Sequence, residues 1–351
     1  MIEAHGIYFM KTISKFRFVG QKKYLIAATC ILVLASCTVG ILPKHLLPVP
    51  ETALILIGQK KMKLGAPIFI RIFKQESELE IWKQREDGHF YHFKTYPICT
   101  WSGNLGPKRR HGDKQAPEGF YTVNENQLNP NSDFHLSFNL GYPNGYDRSH
   151  GRTGKFLMVH GRCTSVGCYA MTDSLMEEIF SLAREAFYGG QKVIHVHAFP
   201  FRMVRFEMSR NSQDPNFLFW QRLKQGYDYF ELTRIPPQIA VCNKEYHVNV
   251  KWEGGELDPT ELCPKFIRPE LPLFVPKAGE ELLVSQRIVA PGLRRRVFMP
   301  DQHNPKASYN FKKSQILTST SSRNEVLVNG SDNIGAFINL IIPPSPPIVR
   351  R

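Results

Sequence analysis

A histidine and a cysteine eight positions apart carry the clearest chemistry in this sequence. His160 closes an apolar run, and Cys168 precedes a segment with helical periodicity. A thiol is only slightly ionised at neutral pH, whereas a nearby imidazole and a helix N-terminus both lower its pKa. The arrangement predicts Cys168 as a nucleophile and His160 as the proton acceptor and donor that activates it.

Two glycines beside these residues suit such a site. Gly167 lets the backbone turn sharply before Cys168, so that amide hydrogens there would point at a developing oxyanion. Gly161 leaves a carbonyl oxygen free to hold one tautomer of the His160 imidazole. Ser165 either donates to the oxyanion or supports the turn, and the turn is the more ordinary use of serine in a loop.

The elements that must position these residues are predicted to be mainly β. Short β-branched or aromatic runs at 67–73, 78–82 and 90–96, separated by polar turns, predict a meander of antiparallel strands. Two further apolar strands are predicted at 156–160 and 193–199. The catalytic candidates therefore follow a buried strand.

A helix is predicted from Asp173 to Tyr188, between those last two strands. Asp173 or Ser174 would cap its start, and Gly189-Gly190 would stop it. One face of this helix is apolar, with Leu175, Ile179, Leu182 and Ala186.

Composition divides the chain into a folded core between an N-terminal signal with its linker and a weakly ordered C-terminal tail. Three prolines break up residues 38–57, and residues 216–232 predict a second helix or helical pair that ends before Pro236-Pro237. Many prolines and an arginine cluster mark the chain from 251 onward. The predicted organisation is a signal peptide at 1–37, a linker at 38–57, a catalytic domain at 58–205, a helical extension at 206–250 and a largely unstructured, Pro-rich basic tail at 251–351.

The first forty residues have the layout of a secretory signal. Basic residues precede the apolar run 25–36, which is shorter than the roughly 20 residues of a membrane span. The run ends in Leu34-Ala-Ser-Cys37, which resembles a bacterial lipobox and predicts lipidation of Cys37. The alternative is an ordinary signal, or an uncleaved anchor in which Cys37 is one more small apolar residue. Both predict the periplasm or cell envelope, with a signal or lipid anchor as the contact with the membrane.

The formal net charge of +14 indicates attraction to anionic partners. These are nucleic acid, a negatively charged membrane face or an acidic wall polymer. The sequence has no zinc-finger spacing, no basic helix followed by heptads and no aromatic RNA-binding signature, so no nucleic-acid partner is predicted. No cofactor and no metal is predicted.

Other candidates have ordinary interpretations beside functional ones. His195 and His197 share one face of a strand and would suit a metal, but satisfied structural histidines are favoured because no third ligand is evident. Arg152 either binds a substrate carboxylate or makes local hydrogen bonds. Tyr142 either lines the substrate cleft or fills the core.

The remaining cysteines have to be judged one at a time. Cys163 is either a resolving thiol for Cys168 or, more ordinarily, a buried small apolar residue. Cys99, Cys242 and Cys263 would be able to pair in an oxidising compartment, and the sequence does not fix the pairing.

The catalytic block resembles a known motif. Ser165-Val-Gly-Cys-Tyr-Ala-Met-Thr-Asp173, with His160 before it, is similar to the L,D-transpeptidases of the YkuD or ErfK type, and most of all to their YafK-like murein subgroup. The resemblance extends over roughly residues 66–240. It implies a β-sandwich or barrel with short helices, with His160 as base, Cys168 as nucleophile, the amides of Gly167 and Cys168 as oxyanion hole and the Gly161 carbonyl orienting the base. Further matching blocks are Lys94-Thr-Tyr-Pro-Ile-Cys99, Gly103-Asn-Leu-Gly-Pro-Lys108, Ala116-Pro-Glu-Gly-Phe-Tyr121, Asn139-Leu-Gly-Tyr-Pro143 and His150-Gly-Arg152.

The sequence departs from the commoner family pattern in two ways. Val166 stands where that pattern has a second histidine, and the eight positions from His160 to Cys168 are fewer than in that pattern. The departure leaves one histidine in the motif and leaves the acyl acceptor open. The leading hypothesis is a thioester at Cys168, formed at the diamino acid of a peptidoglycan stem peptide and transferred to an amine. The second is an amidase- or carboxypeptidase-like hydrolase that releases a wall-bound lipoprotein or a cross-link. The third is a wall-binding lipoprotein without catalysis, which the intact pair of His160 and Cys168 argues against.

Overall fold

A computed structural model of the chain describes residues 42–276. The predicted signal segment, its lipidation site Cys37 and the tail from residue 277 onward lie outside this range. The chain divides between Ala198 and Phe199 into two compact units, which are described separately below. Within the described range, no helix is long and apolar enough to cross a membrane.

The predicted meander is confirmed and forms one side of the first sheet. Strands β1 (Ile68–Phe73), β2 (Glu78–Gln84) and β3 (Phe90–Pro97) pair antiparallel in sequence order. Every residue of β1 is buried, which explains why its sequence is almost uniformly apolar instead of alternating. The sheet is completed by β5 (Gly119–Val123) and β10 (Ile194–Phe199), in the order β3-β2-β1-β10-β5.

A second five-stranded sheet holds the catalytic candidates. Its strands are short and lie in the order β4-β9-β8-β7-β6. Strands β8 and β9 are parallel neighbours, although only eight residues connect them, and the other pairs are antiparallel. His160 is the last residue of β8, and Cys168 comes directly before β9. These strands are β4 (Thr100–Trp101), β6 (Leu128–Asn129), β7 (Ser137–Asn139), β8 (Met158–His160) and β9 (Tyr169–Ala170).

One apolar core joins both sheets to two of the helices of the first unit. The longest helix of this unit has the predicted bounds and follows β9, with Met176, Ile179 and Leu182 fully buried. The helices are α1 (Glu51–Gln59), α2 (Gly145–Ser149) and α3 (Asp173–Tyr188), and short 3-10 turns lie at Lys44–Leu46 and Glu125–Gln127. The fold class is therefore mostly sheet with short helices, as predicted.

The start of α3 differs from the prediction. Thr172 is its N-cap, and no side chain caps the helix. The Asp173 carboxylate instead accepts the backbone amide of Arg162 at 2.6 Å. The end follows the prediction, because Gly189 terminates the helix against Gly65, whose carbonyl oxygen would lie only 1.9 Å from a Cβ at that position.

The linker predicted at 38–57 is wrong over its described part. Ala53 and Ile57 of α1 are buried in the core, and Arg184 donates to the carbonyl oxygens of His45 and Leu47 at 2.7 and 2.9 Å. The prolines were misleading because they precede the helix, and Pro50 is its N-cap. A proline disrupts a helix interior but is tolerated at its start.

A buried ion pair fixes the loop between β4 and β5. The side chains of Lys74 and Glu118 are both completely buried, with 3.0 Å between Nζ and Oε1. Lys74 also donates to the carbonyl oxygens of Asn104, Gly106 and Ala116 at 2.7, 3.1 and 3.1 Å. One ammonium group therefore satisfies several carbonyl oxygens of a loop that has no regular hydrogen bonding of its own.

The second unit contains a long helix where residues 216–232 predicted a helix or helical pair. Helix α5 (Phe217–Thr233) follows the short α4 (Arg205–Arg210), and a hairpin of β11 (Ile239–Cys242) and β12 (Glu245–Val248) comes next. A disulfide bond joins Cys242 to Cys263. The described part of the predicted tail, 251–276, has no helix or strand and one isolated bridge between Lys251 and Ile267.

Candidate active site

His160 and Cys168 line the same cleft, which has a volume of about 370 Å³. His160 directly precedes the eight-residue connection between β8 and β9, and Cys168 is the last residue of that connection. His160 is 4 % exposed, whereas Cys168 is partly open to the cleft. The other lining residues are Asn129, Ser132, Asp133, Phe134, Ser137, Phe156, Met158, Thr164, Ser165 and Val166.

The imidazole of His160 is held in one orientation. Its Nδ1 lies 2.6 Å from the carbonyl oxygen of Gly161, and the Phe134 ring packs 4.8 Å from it, centroid to centroid. A carbonyl oxygen only accepts hydrogen bonds, so Nδ1 carries the hydrogen and Nε2 keeps its lone pair. Burial lowers the pKa of His160, although the hydrogen bond to Gly161 opposes this effect. At neutral pH the imidazole is therefore neutral and able to accept a proton at Nε2.

The thiol of Cys168 rests against the backbone of the segment that leads into β8. Its Sγ accepts the amide of Met158 at 3.4 Å and donates to the carbonyl oxygen of Phe156 at 3.7 Å. Burial raises the pKa of Cys168, while the Met158 amide and the charge of Lys108 lower it to a smaller extent. The resting thiol is therefore protonated, contrary to the expectation that a helix start lowers its pKa. Strand β9 separates Cys168 from the first turn of α3.

A tight turn presents Cys168. The Ser165 hydroxyl accepts the Cys168 amide at 3.1 Å and donates to the Cys168 carbonyl oxygen at 2.7 Å. Gly167 has φ of +115°, a conformation that side chains rarely adopt. Ser165 thus makes the turn contacts favoured from the sequence. The Cys168 amide reaches a developing oxyanion only if it releases the Ser165 hydroxyl.

The first residue of the connection is equally constrained. A Cβ on Gly161 would lie 2.6 Å from Oδ1 of Asp173 and 2.9 Å from Cβ of His135. The Gly161 amide donates to the carbonyl oxygen of Phe134 at 3.0 Å. Only glycine fits here, so the carbonyl that orients His160 is fixed by close packing around its own residue.

A disulfide bond joins Cys163, in the middle of the connection, to Cys99. Both residues are exposed, so the prediction of Cys163 as a buried apolar residue is wrong. Because its sulfur is bonded to Cys99, it is not a free resolving thiol either. Of the cysteines in the described range, Cys168 alone has a free thiol.

Arg152 and Tyr142, predicted to bind substrate, are not among the described residues that line the cleft. Arg152 pairs with the completely buried carboxylate of Asp147 at 2.8 Å. Tyr142 is buried in the core, and its hydroxyl donates to the carbonyl oxygen of Lys108 at 3.2 Å. Both residues therefore make the structural contacts that the sequence left open as alternatives to substrate binding.

Of the histidine pair in β10, His197 is a core residue packed against aromatic rings. His197 is buried between the rings of Phe69 and Phe120, at centroid distances of 4.8 and 4.6 Å. Within residues 42–276, one group has the spacing of metal ligands, namely Cys242, His247 and Cys263. Two of its three members are already joined as a disulfide.

Sequence reasoning missed the residues contributed by the backbone and by the opposite wall. Met158 and Phe156 act through their amide and carbonyl groups, which any residue possesses. Phe134 and Asp133 reach the cleft because β7 pairs with β8, bringing the polar loop before β7 beside His160. The sequence carried one weak signal for this wall, the Asn, Ser and Asp residues around position 132.

Comparisons with known proteins identify relatives of this chain. The model of the YkuD family, described as the L,D-transpeptidase catalytic domain, matches residues 68–194. The chain is 43% identical over 211 residues to YafK, assigned by name to the L,D-transpeptidases, of Escherichia coli K12 and of Escherichia coli O157:H7. Each alignment covers 60% of this chain and 85% of the relative.

Solved structures are more distant. The helical cell shape determining protein Pgp2 of Campylobacter jejuni is 18% identical with a TM-score of 0.32, covering 51% of this chain and 68% of that one. A variant of the same protein, with a TM-score of 0.33, is matched over 63% of its length. Bd1075 of Bdellovibrio bacteriovorus is 20% identical with a TM-score of 0.27, covering 54% of this chain and 65% of that one.

Proposed function

Because this chain belongs to the L,D-transpeptidase family, we propose that Cys168 forms a thioester with a peptidoglycan stem peptide and passes the acyl group to an amine. The bond cut lies at the diamino acid of the stem. The observation that carries the proposal is the common cleft of His160 and Cys168, in which a fixed imidazole keeps Nε2 unprotonated.

The first half of the reaction begins from a neutral pair. The Cys168 sulfur attacks the carbonyl carbon of the scissile amide, and the thiol proton passes to Nε2 of His160. The positive charge of Lys108 and the Met158 amide favour the sulfur anion as it forms. The tetrahedral intermediate then expels the amine of the leaving D-amino acid, which takes the proton from His160 and leaves a thioester on Cys168.

The second half reverses the proton path. An acceptor amine attacks the thioester carbon and gives a proton to Nε2 of His160. The carbon–sulfur bond breaks, and His160 returns the proton to Cys168. Amides of Gly167 and Cys168 would stabilise both oxyanions, with the Cys168 amide exchanging its hydrogen bond to Ser165 for one to the substrate.

Incubation with isolated muropeptides and an amine acceptor tests this function. The full chain should give cross-linked or exchanged products by mass spectrometry, and a carbapenem should add its mass to Cys168. The variants Cys168→Ala and His160→Gln should give neither, whereas His111→Gln, an exposed histidine outside the cleft, should behave like the wild type. Transfer products from Cys168→Ala would refute the assignment.

The same reaction separates transfer from hydrolysis. If water resolves the thioester, the stem is shortened or a wall-bound lipoprotein is freed, and no product carries the acceptor amine. That result would keep Cys168 as nucleophile but refute the transfer step. A chain that neither reacts with muropeptides nor takes up the carbapenem would instead fit a wall-binding protein without catalysis.

We further propose that the enzyme acts in the periplasm, with an anchor at Cys37. Membership of a family that acts on the cell wall supports an envelope location. Labelled fatty acid should be incorporated into the wild-type chain and lost in Cys37→Ala, with Cys30→Ala as the matched control. An unlabelled wild-type chain would reject the lipid anchor.

A further inference from the structure

The disulfide between Cys99 and Cys163 joins the catalytic connection to the strand edge beside it. Cys99 lies between β3 and β4, and β4 pairs with β9. The Cys99 amide donates to the carbonyl oxygen of Ala170 at 2.9 Å, and the Cys163 amide donates to that of Met171 at 3.1 Å. Both halves of the bridge are therefore hydrogen-bonded to the two residues where β9 ends.

The connection that carries this bridge holds an unfavourable backbone conformation. Arg162 and Cys163 both have positive φ, +62° and +44°, in the left-handed region that residues with side chains avoid. Such conformations persist only where surrounding contacts over-determine them. The hydrogen bond from the Arg162 amide to Asp173 is one such contact, and the disulfide is the covalent one.

We propose that the Cys99–Cys163 disulfide is a positioning element for catalysis, which fixes the connection 161–168 so that both His160 and Cys168 stay in their working geometry. The inference rests on the proposed function. The first residue of the connection, Gly161, supplies the carbonyl that orients His160, and the last is the nucleophile. A change of backbone conformation around Cys163 would therefore displace both His160 and Cys168.

The Cys99–Cys163 disulfide is exposed, which supports a role in positioning the connection and not in packing the core. Cys99 and Cys163 are both exposed, so replacing their sulfur atoms leaves no cavity in the core. The Cys242–Cys263 disulfide of the second unit provides a matched control, because it closes a shorter loop and contains no residue that lines the cleft.

The full chain should be compared with Cys99→Ser/Cys163→Ser and with Cys242→Ser/Cys263→Ser. Two rates are followed on the Cys168 peptide by mass spectrometry: acylation by a carbapenem, and alkylation by iodoacetamide across pH. Loss of the Cys99–Cys163 bridge should slow acylation about tenfold to a hundredfold, since small displacements of reacting groups have effects of that size. It should also move the alkylation midpoint to lower pH, because a loosened connection exposes the thiol to water. The control should change neither.

Each remaining outcome is decisive. A folded Cys99→Ser/Cys163→Ser chain with wild-type acylation and an unshifted midpoint would overturn the proposal, as would equal effects in the control. If that variant does not fold, folded Cys242→Ser/Cys263→Ser protein is reduced with a phosphine, which opens only the Cys99–Cys163 bridge among the described cysteines, and the same readouts apply. A wild-type chain without carbapenem acylation would refute the proposed function, while the alkylation midpoints would still decide the positioning role.

Discussion

The imidazole of His160 and the carbonyl of Gly161 are joined by a hydrogen bond of 2.6 Å between adjacent residues. In many catalytic triads a carboxylate side chain orients the histidine. Here the backbone carbonyl of Gly161 has that role. Since a carbonyl cannot receive the proton, the imidazole keeps a single tautomer in its neutral form. The active-site geometry therefore depends on the backbone path at 161.

The rate of Cys168 acylation should depend on pH through His160. Burial lowers the pKa of this imidazole, so protonation removes the base only below the ordinary histidine range near 6.5. Acylation by a carbapenem should thus stay constant from pH 8 to about 6.5 and fall in more acid solution. Acylation rates measured across pH by stopped-flow or mass spectrometry test this decrease. A decrease in rate with its midpoint above about pH 7 would contradict a buried neutral imidazole.

Alkylation of Cys168 by iodoacetamide should show a raised thiol pKa. Burial disfavours the thiolate, so the midpoint should lie above that of an ordinary cysteine, about 8.5. Replacing Lys108 by Met should raise it further, because the charge of Lys108 favours the thiolate. Exposed Lys155→Met is the control and should leave the midpoint unchanged. A lower midpoint in Lys108→Met would reverse the assigned sign.

Gly161→Ala should damage the site more than the fold. The added methyl group would meet Asp173, His135 and the Phe134 carbonyl at 2.6 to 3.1 Å, so the backbone must shift and carry the orienting carbonyl with it. We expect about 1–3 kcal/mol of lost stability and an acylation rate lower by about a hundredfold. Urea unfolding and carbapenem labelling measure the two effects. Gly58→Ala, where a methyl group meets nothing within 4 Å, should cost neither.

Ser165→Ala should slow acylation about tenfold, because the hydroxyl that holds both the amide and the carbonyl of Cys168 is lost. Ser174→Ala removes an exposed hydroxyl outside the cleft and serves as the control. The measurement is again the carbapenem rate at neutral pH. A faster reaction in Ser165→Ala would contradict this, because it would mean that freeing the Cys168 amide for the oxyanion outweighs the loss of the turn contacts.

Breaking the buried pair of Lys74 and Glu118 should destabilise the fold more than breaking an exposed ion pair. Lys74→Met leaves a buried carboxylate without its cation and removes the donor to three loop carbonyls, which costs about 3–5 kcal/mol. Lys63→Met breaks an exposed pair with Glu86 and should cost less than about 1 kcal/mol. Urea midpoints compare the two. Equal losses would show that burial does not set the difference.

Much of the fold could be predicted from periodic and local patterns in the sequence. The apolar face and glycine stop of α3 gave its bounds, because a helix of 16 residues repeats its pattern several times. The resemblance placed His160 and Cys168 on one scaffold of short strands. The start of α3 was mispredicted because Asp173 bonds to the connection instead of capping the helix.

Features that depend on contacts between residues far apart in the sequence could not be predicted from it. The partner of Cys163 is 64 positions away, and nothing local distinguishes Cys99 from the other cysteines. The role of Arg152 depended on whether a carboxylate would lie beside it, and the fold buries Asp147 there. Residues 38–57 were predicted to be a linker because of their prolines, whereas Ala53 and Ile57 are buried in the core.

The parallel pairing of β8 and β9 has a consequence for how this site is able to vary. Parallel neighbours are ordinarily joined by a dozen or more residues, often including a helix, and here eight residues suffice. Those eight residues connect the two strands, and they also include the Gly161 carbonyl that orients His160 and the nucleophile Cys168. Adding or deleting one residue in this segment would therefore shift the strand register together with Cys168 and the carbonyl that orients His160.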